Sequence, residues 1–276
     1  MTNWDFPCSE PVDISIDSWA SGSIAVSGEP TAAIAVEVVA SRSGADIDDL
    51  LSEVRVQFED GHLLIQGPKH GAFRRKKGLD LTIKAPAGSS CAAKTASADV
   101  SCVGELGALT VHTASGDVTA ASVTGDVSVA SASGDVLLAT AGTATINTAS
   151  GDVQLNRVEG ETLINTASGD VAIGHCAGSV ATHTASGDIE LGSVSSGNIE
   201  LMTASGDIGV AVVPGIGVYL DLASTAGDIR NDLDAADGDA SAAAVEIKCR
   251  SLSGDIRITR ARANASQPDA LQAIDE

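Results

Sequence analysis

The sequence has 276 residues, of which 43% are hydrophobic, so the chain is long enough to bury a sizeable core. Its 16 Lys and Arg residues stand against 37 Asp and Glu residues, which gives a net charge of −21. This charge repels nucleic acids and anionic membrane surfaces. We therefore expect no nucleic-acid partner, and we expect basic proteins or cations instead.

The start of the chain and its cysteines predict where the protein resides. Residues 1–7 have neither the positive charges nor the apolar stretch of a secretory signal, and no apolar run approaches the ~18 residues that span a membrane. The cysteines are odd in number and lack CxxC or His-paired metal spacing: Cys8, Cys91, Cys102, Cys176 and Cys249. We expect a cytoplasmic protein with reduced thiols and no membrane span.

The region from residue 6 to residue 94 has strand-like alternation without an exact repeat. Apolar and polar residues alternate at 12–16 and again at 24–26. Apolar residues at helical spacing predict a short helix over 45–54, and residues 59–62 predict a hairpin turn. This region is predicted to be an irregular N-terminal β region with one helix.

One dense run of cations follows, at Arg74, Arg75, Lys76 and Lys77. It has two interpretations. It is either a docking site for an anionic partner or a solvated loop whose cations offset the negative charge of the protein.

From residue 95 onward the chain repeats the pattern Thr-Ala-Ser-Gly-Asp-Val, which is complete at residues 113–118. The Asp of successive copies is separated by 18, 18, 17, 18, 18, 19, 21 and 27 residues. A fixed period of this size is typical of solenoid proteins. The nine Asp residues are Asp99, Asp117, Asp135, Asp152, Asp170, Asp188, Asp207, Asp228 and Asp255.

Counting from each Asp predicts which residues face the core. Apolar residues recur one and three positions after the Asp and six positions before it, as in Val118, Ala120 and Val111. This period-2 alternation predicts two short strands per coil, each with one face on the core. Stacked coils would pair every strand in parallel with its counterpart ~4.8 Å away.

The sequence thus predicts an all-β fold, a single-domain parallel β-solenoid with coils of about 18 residues. The domain spans residues 6–260, with regular repeats over 95–210 and longer ones over 211–260. The last coil in sequence is completed at Ile258. Residues 261–276 are predicted to be a disordered tail.

A strand and a Pro-Ala-Gly turn at residues 81–88, followed by Ser-Gly-Asp-Val repeats ending in Ser-Gly-Asp-Ile-Arg-Ile, resemble a known family. The family is the bacterial β-strand-repeat family of unknown function that is labelled "putative adhesin". The resemblance covers most of the chain. It implies a parallel β-solenoid with no catalytic residues and no cofactor to carry over.

The repeated Asp is the most prominent candidate site. Stacked coils would bring its carboxylates to ~5 Å from one another, where repulsion is ~1 kcal/mol at water-like dielectric. Calcium bound between turns would relieve this repulsion, as in glycine-rich β-helices. The structural alternative is that each Asp caps its own turn. The candidate calcium file is Asp117, Asp135, Asp152, Asp170 and Asp188.

We expect a non-enzymatic scaffold or adhesin-like interaction protein with an unidentified protein partner. A calcium-binding repeat protein and a chain that self-associates end to end are the alternatives. A weaker hypothesis is that the acidic file mimics nucleic acid. An enzyme would require a pocket between the irregular N-terminal region and the repeats.

Overall fold

The structure is a computed structural model that describes residues 1–41, 47–68, 78–233 and 243–261. The basic run at 74–77 and residues 262–276 of the expected tail lie outside the described residues. The chain divides into two compact units, residues 1–152 and 153–276. Each is described by itself.

The first unit contains nine strands and one helix among its described residues. The helix, α1, begins at Ile47 and ends at Glu53, which confirms the helix expected at 45–54. The strands are β1 Thr2–Pro7, β2 Asp13–Glu29, β3 Ala33–Ala40, β4 Arg55–Glu59, β5 His62–Gln66, β6 Leu79–Pro86, β7 Ser89–Thr113, β8 Val118–Ser133 and β9 Val136–Ser150.

The repeats of the first unit pair in parallel with a shift of one period. Val100 on β7 lies opposite Val118 on β8, and Val118 lies opposite Val136 on β9. The N-terminal strands differ, because β1 pairs antiparallel with β3 and β3 pairs antiparallel with β6. The expected hairpin joins β4 to β5, and Asp60 and Gly61 both have the positive φ that a tight hairpin turn requires.

The second unit has eleven strands among its described residues. In its regular part every strand pairs in parallel with the strand one repeat later, so that Val171 lies between Val153 and Ile189. The strands are β10 Val153–Val158, β11 Thr162–Ser168, β12 Val171–Cys176, β13 Val180–Ser186, β14 Ile189–Val194, β15 Gly197–Ser205, β16 Ile208–Val212, β17 Gly217–Ser224, β18 Ile229–Asn231, β19 Ala243–Ser253 and β20 Ile256–Arg260.

The last repeats of the second unit do not stack in sequence order. Strand β19 pairs with both β15 and β17, and β20 pairs with both β16 and β18. The expectation that every strand pairs with its counterpart in the next coil along the chain is therefore wrong for these repeats. Asp228 and Asp255 are 27 positions apart, the longest interval between successive copies, and β19 and β20 each pair on both edges.

The predicted core positions are confirmed. Residues one and three positions after each Asp are at most 2% exposed, apart from Ile229, which is 45% exposed, and Asn231, which is also exposed. Thr182, which interrupts the third apolar column, is also fully buried. The all-β prediction is confirmed, since α1 is the one helix in the described part of the chain.

Candidate functional site

The Ser-Gly-Asp turn joins the two strands of a repeat, and its Thr sets the local geometry. The Thr113 hydroxyl accepts a hydrogen bond from the backbone N–H of Gly116 at 3.0 Å, and Thr95 does the same for Ala98 at 2.9 Å. A Thr hydroxyl that bonds the backbone three residues later stabilises a turn in place of a continued strand. The Thr of the motif is therefore a structural residue.

In the first unit the carboxylates of three successive repeats are each bonded to the following repeat. The Oδ1 atom of Asp99 accepts the backbone N–H of Asp117 at 3.1 Å, and Asp117 accepts that of Asp135 at 3.0 Å. Asp135 accepts the N–H of Asp152 at 2.9 Å. Each of these carboxylates therefore caps the turn of the next repeat, whereas the sequence suggested that it caps its own turn.

The second unit continues the same pattern with shorter bonds. The Oδ1 atom of Asp170 accepts the N–H of Asp188 at 2.8 Å, and Asp188 accepts that of Asp207 at 2.7 Å. Asp207 bonds the N–H of Asp255 at 2.7 Å, and Asp255 bonds that of Asp228 at 2.8 Å. A carboxylate that accepts a backbone N–H is a charge-assisted hydrogen bond, stronger than a neutral one. The Asp file therefore joins neighbouring repeats.

The glycine of the turn is required by the close approach of successive repeats. A Cβ atom on Gly187 would lie 2.1 Å from the carbonyl oxygen of Gly169, and one on Gly206 would lie 2.1 Å from that of Gly187. Both contacts are with backbone atoms, which cannot rotate away. The glycine thus allows the distance at which the Asp bonds form.

The candidate calcium residues lie at these turns on the exposed surface, Asp117, Asp135 and Asp152 in the first unit and Asp170 and Asp188 in the second. Within the described residues no three His, Cys, Asp or Glu side chains come together as a metal site would require. Since calcium takes six to eight oxygen ligands, a single carboxylate per turn would need oxygens from elsewhere. Calcium binding stays a prediction.

A second candidate is a groove of about 600 Å³ on the second unit that sequence reasoning missed. Its floor is Gly209, which lies between Glu190 and Arg257 in the register of β14, β16 and β20. Because Gly209 has no side chain, the ladder of outward side chains is interrupted there. Gly209 stands two positions after Asp207, where other repeats carry a side chain. This missing side chain is the sequence signal that could have indicated the groove.

Opposite charges line this groove. Glu190 lies on one side and Arg257 and Arg260 on the other. Arg257 is paired with Asp232 at 3.1 Å, and the Nη1 atom of Arg260 donates to the carbonyl oxygens of Val213 and Ile216 at 3.2 and 3.3 Å. The arrangement holds guanidinium groups in place at a concave surface, which suits recognition of polar chains.

The cysteines contribute to the core. All five are free thiols, and four are buried: Cys91, Cys102, Cys176 and Cys249. Burial raises the pKa of Cys91 and of Cys176 to about 12, and that of Cys102 well above its usual range. Because the thiolate is the reactive form, these thiols are poor nucleophiles at neutral pH.

The sequence profile of the family described as "Toastrack DUF4097" matches residues 12–259. The chain belongs to this family. This confirms the resemblance inferred from the Ser-Gly-Asp-Val repeats. No functionally curated protein is similar to this Toastrack chain.

Solved structures from three bacteria are similar to the chain at low sequence identity. A "putative adhesin" from Bacteroides fragilis has 14% identity and a TM-score of 0.42, with 93% of this chain and 96% of that one covered. A "putative lipid binding protein" from Parabacteroides distasonis has 15% identity, a TM-score of 0.42 and the same coverage. A "putative cell adhesion protein" from Clostridium sporogenes has 12% identity and a TM-score of 0.29, with 94% and 99% covered.

The described part of the chain contains no helix long and apolar enough to cross a membrane.

Proposed function

We propose that this protein is a non-enzymatic, single-domain parallel β-solenoid that serves as an interaction scaffold and binds a protein partner through the groove at Gly209. The parallel pairing and the period of the repeats within each unit support the solenoid. The stacking bonds of the Asp carboxylates support a structural role for the abundant Ser, Gly and Asp residues.

The groove at Gly209 is the feature of the structure that supports this binding role. Its floor is backbone, so a partner chain can approach closely, and its walls hold Glu190, Arg257 and Arg260. A partner segment with charges of both signs would pair with these side chains, and Arg is enriched at protein interfaces for this reason. The proposal places the protein in the cytoplasm, where its five free thiols stay reduced.

The test is affinity capture from native lysate with three forms of the full chain. We expect the wild type to retain a discrete partner that G209W loses, because a Trp ring fills the groove. A181W is the matched control, since Ala181 faces outward on β13, away from the groove. Retention of the same partner by wild type and G209W would contradict the groove as the binding site.

Cell fractionation tests the compartment. A protein recovered in the cytosolic fraction with all five thiols reduced supports the proposal, and recovery in the envelope fraction contradicts it. A purified wild type that turns over a substrate, with activity that follows the protein through repeated purification, would contradict the non-enzymatic role.

A further inference from the structure

The groove at Gly209 includes the last described residue of the chain. Ala261 is part of the groove wall beside Arg260, and its backbone N–H donates a hydrogen bond to the carbonyl oxygen of Val212 at 2.8 Å. Ala261 is only 9% exposed. This residue is thereby held at the groove, and residues 262–276 continue the chain from that point.

The groove holds a guanidinium group whose hydrogen-bonding capacity is not filled by the described residues. The Nη1 atom of Arg260 donates to the carbonyl oxygens of Val213 and Ile216. Its Nε atom is buried, and within the described residues it has no hydrogen-bond partner. A buried donor without a partner costs free energy, and a carboxylate that reached this guanidinium would form charge-assisted hydrogen bonds. The described residues therefore leave an acceptor to be supplied from elsewhere.

Residues 262–276 have the charges of both signs that suit this groove. Carboxylates suit Arg257 and Arg260, and a guanidinium suits Glu190 on the opposite wall. Because the segment is attached at Ala261, its local concentration at the groove is on the order of millimolar. Its charged residues are one cation and three anions, Arg262, Asp269, Asp275 and Glu276.

The acidic segment 234–242 also begins close to the groove, because it follows Asp232 in the sequence by only two positions. This segment connects β18 to β19, so both of its ends are fixed by paired strands. It has no cation to pair with Glu190, and its charged residues are Asp234, Asp237 and Asp239. The charges of the groove therefore favour residues 262–276 as the occupant.

We propose that residues 262–276 of the chain occupy the groove at Gly209 and compete there with the protein partner. The contact with the groove does not depend on any partner, and only the competition rests on the proposed function. A partner then binds with an apparent affinity that is reduced by the fraction of chains in which the segment fills the groove. The segment thus regulates access to the groove.

The test is a titration of full-chain variants with a fluorescent synthetic peptide of residues 262–276, measured by fluorescence anisotropy. The wild type is compared with a variant whose own segment is neutralised, D269N/D275N/E276Q. We expect the neutralised variant to bind the peptide at least about tenfold more tightly, because its own segment no longer competes at millimolar local concentration. The matched control, D234N/D237N/D239N, also removes three carboxylates and should bind the peptide as weakly as the wild type.

Two further variants locate the contact. Adding G209W to the neutralised variant should abolish peptide binding, whereas adding A181W, on the outward face of β13, should leave it unchanged. Amide order parameters from nuclear magnetic resonance provide a measurement without the peptide. Those of residues 262–276 should exceed about 0.6 in the wild type and fall below that value in G209W.

Equal peptide binding by the wild type and the neutralised variant overturns the proposal, and so does an absence of binding by both or binding that G209W leaves intact. A gain in peptide binding by D234N/D237N/D239N alone assigns the groove to residues 234–242 and overturns it as well. The peptide and the order parameters involve no partner protein. Failure of this proposal is therefore distinguishable from failure of the proposed function, which is tested by the partner that G209W loses.

Discussion

The interior repeats of the second unit and its end repeat share one sequence pattern but differ in how well they are buried. Leu201, Cys249 and Leu222 occupy one column of the stack, since Leu201 lies opposite Cys249 and Cys249 opposite Leu222. The first two are fully buried, whereas Leu222 is only partly buried. A repeat of this kind therefore obtains its burial from the next repeat, so stability depends on nearest neighbours.

The largest expected effect is on the turn that sets the distance between interior repeats. G187A would place a Cβ atom 2.1 Å from a backbone oxygen, and we expect it to lower the free energy of unfolding by about 3 kcal/mol or more. G209A is the control, because its nearest contact is the flexible side chain of Glu190 at 3.8 Å. Urea unfolding of both variants measures the difference, and equal losses would contradict the account.

The column shared by Leu201 and Leu222 gives the next largest effect. L201A removes a fully buried side chain, so we expect a loss of about 2–3 kcal/mol. L222A removes a partly buried one and should cost less, about 1 kcal/mol, in dilute protein. Thermal or urea unfolding compares the two, and a larger loss for L222A would mean that the end repeat is covered in the isolated chain.

The Asp file provides a smaller contrast between interior and end. D188A removes the acceptor of the Asp207 N–H, and we expect a loss of about 1–2 kcal/mol. The carboxylate of Asp228 has no described repeat beyond it, so D228A should change stability by under about 0.5 kcal/mol. D188N keeps an acceptor oxygen and should lose less than D188A, a result that unfolding curves of the three variants can check.

The smallest expected effect is a dependence on pH at the end repeat. The hydrogen bond from Arg250 holds the pKa of Asp221 below its usual range, and this bond raises the pKa of Arg250. The contribution of Asp221 to stability is therefore complete above about pH 4, the usual range of aspartate, and is lost as the pH falls through its lower folded-state pKa. The difference in melting temperature between wild type and D221N should shrink across that acidic window. A difference that persists below it would contradict the pairing.

Much of the fold could be predicted from the sequence because the repeat places identical residue types at identical distances from each Asp. The columns that contain Val118 and Ala120 are buried as expected for that reason. The return of β19 between β15 and β17 could not be predicted, because nearest-neighbour stacking does not depend on the order in which the chain supplies its strands. Because the order of the repeats in the stack could not be predicted, the sequence pattern also predicted burial for Ile229, which is exposed.

The candidate site was less accessible to sequence reasoning. The Asp file could be located by counting, but whether a carboxylate bonds its own turn or the next repeat depends on the distance between repeats, which Gly187 and its counterparts set. The groove at Gly209 joins residues from three separate strands. Their proximity follows from the register of β14, β16 and β20, of which β20 is out of sequence order.

Hydrogen exchange at the amide of Asp207 tests most directly the central claim that the repeated Asp joins one repeat to the next. We expect this amide to exchange slowly in the wild type, at least about tenfold faster in D188A, and at the wild-type rate in D228A. An Asp207 amide that exchanges equally fast in wild type and D188A would contradict the account, because the carboxylate of Asp188 would then be free for another ligand.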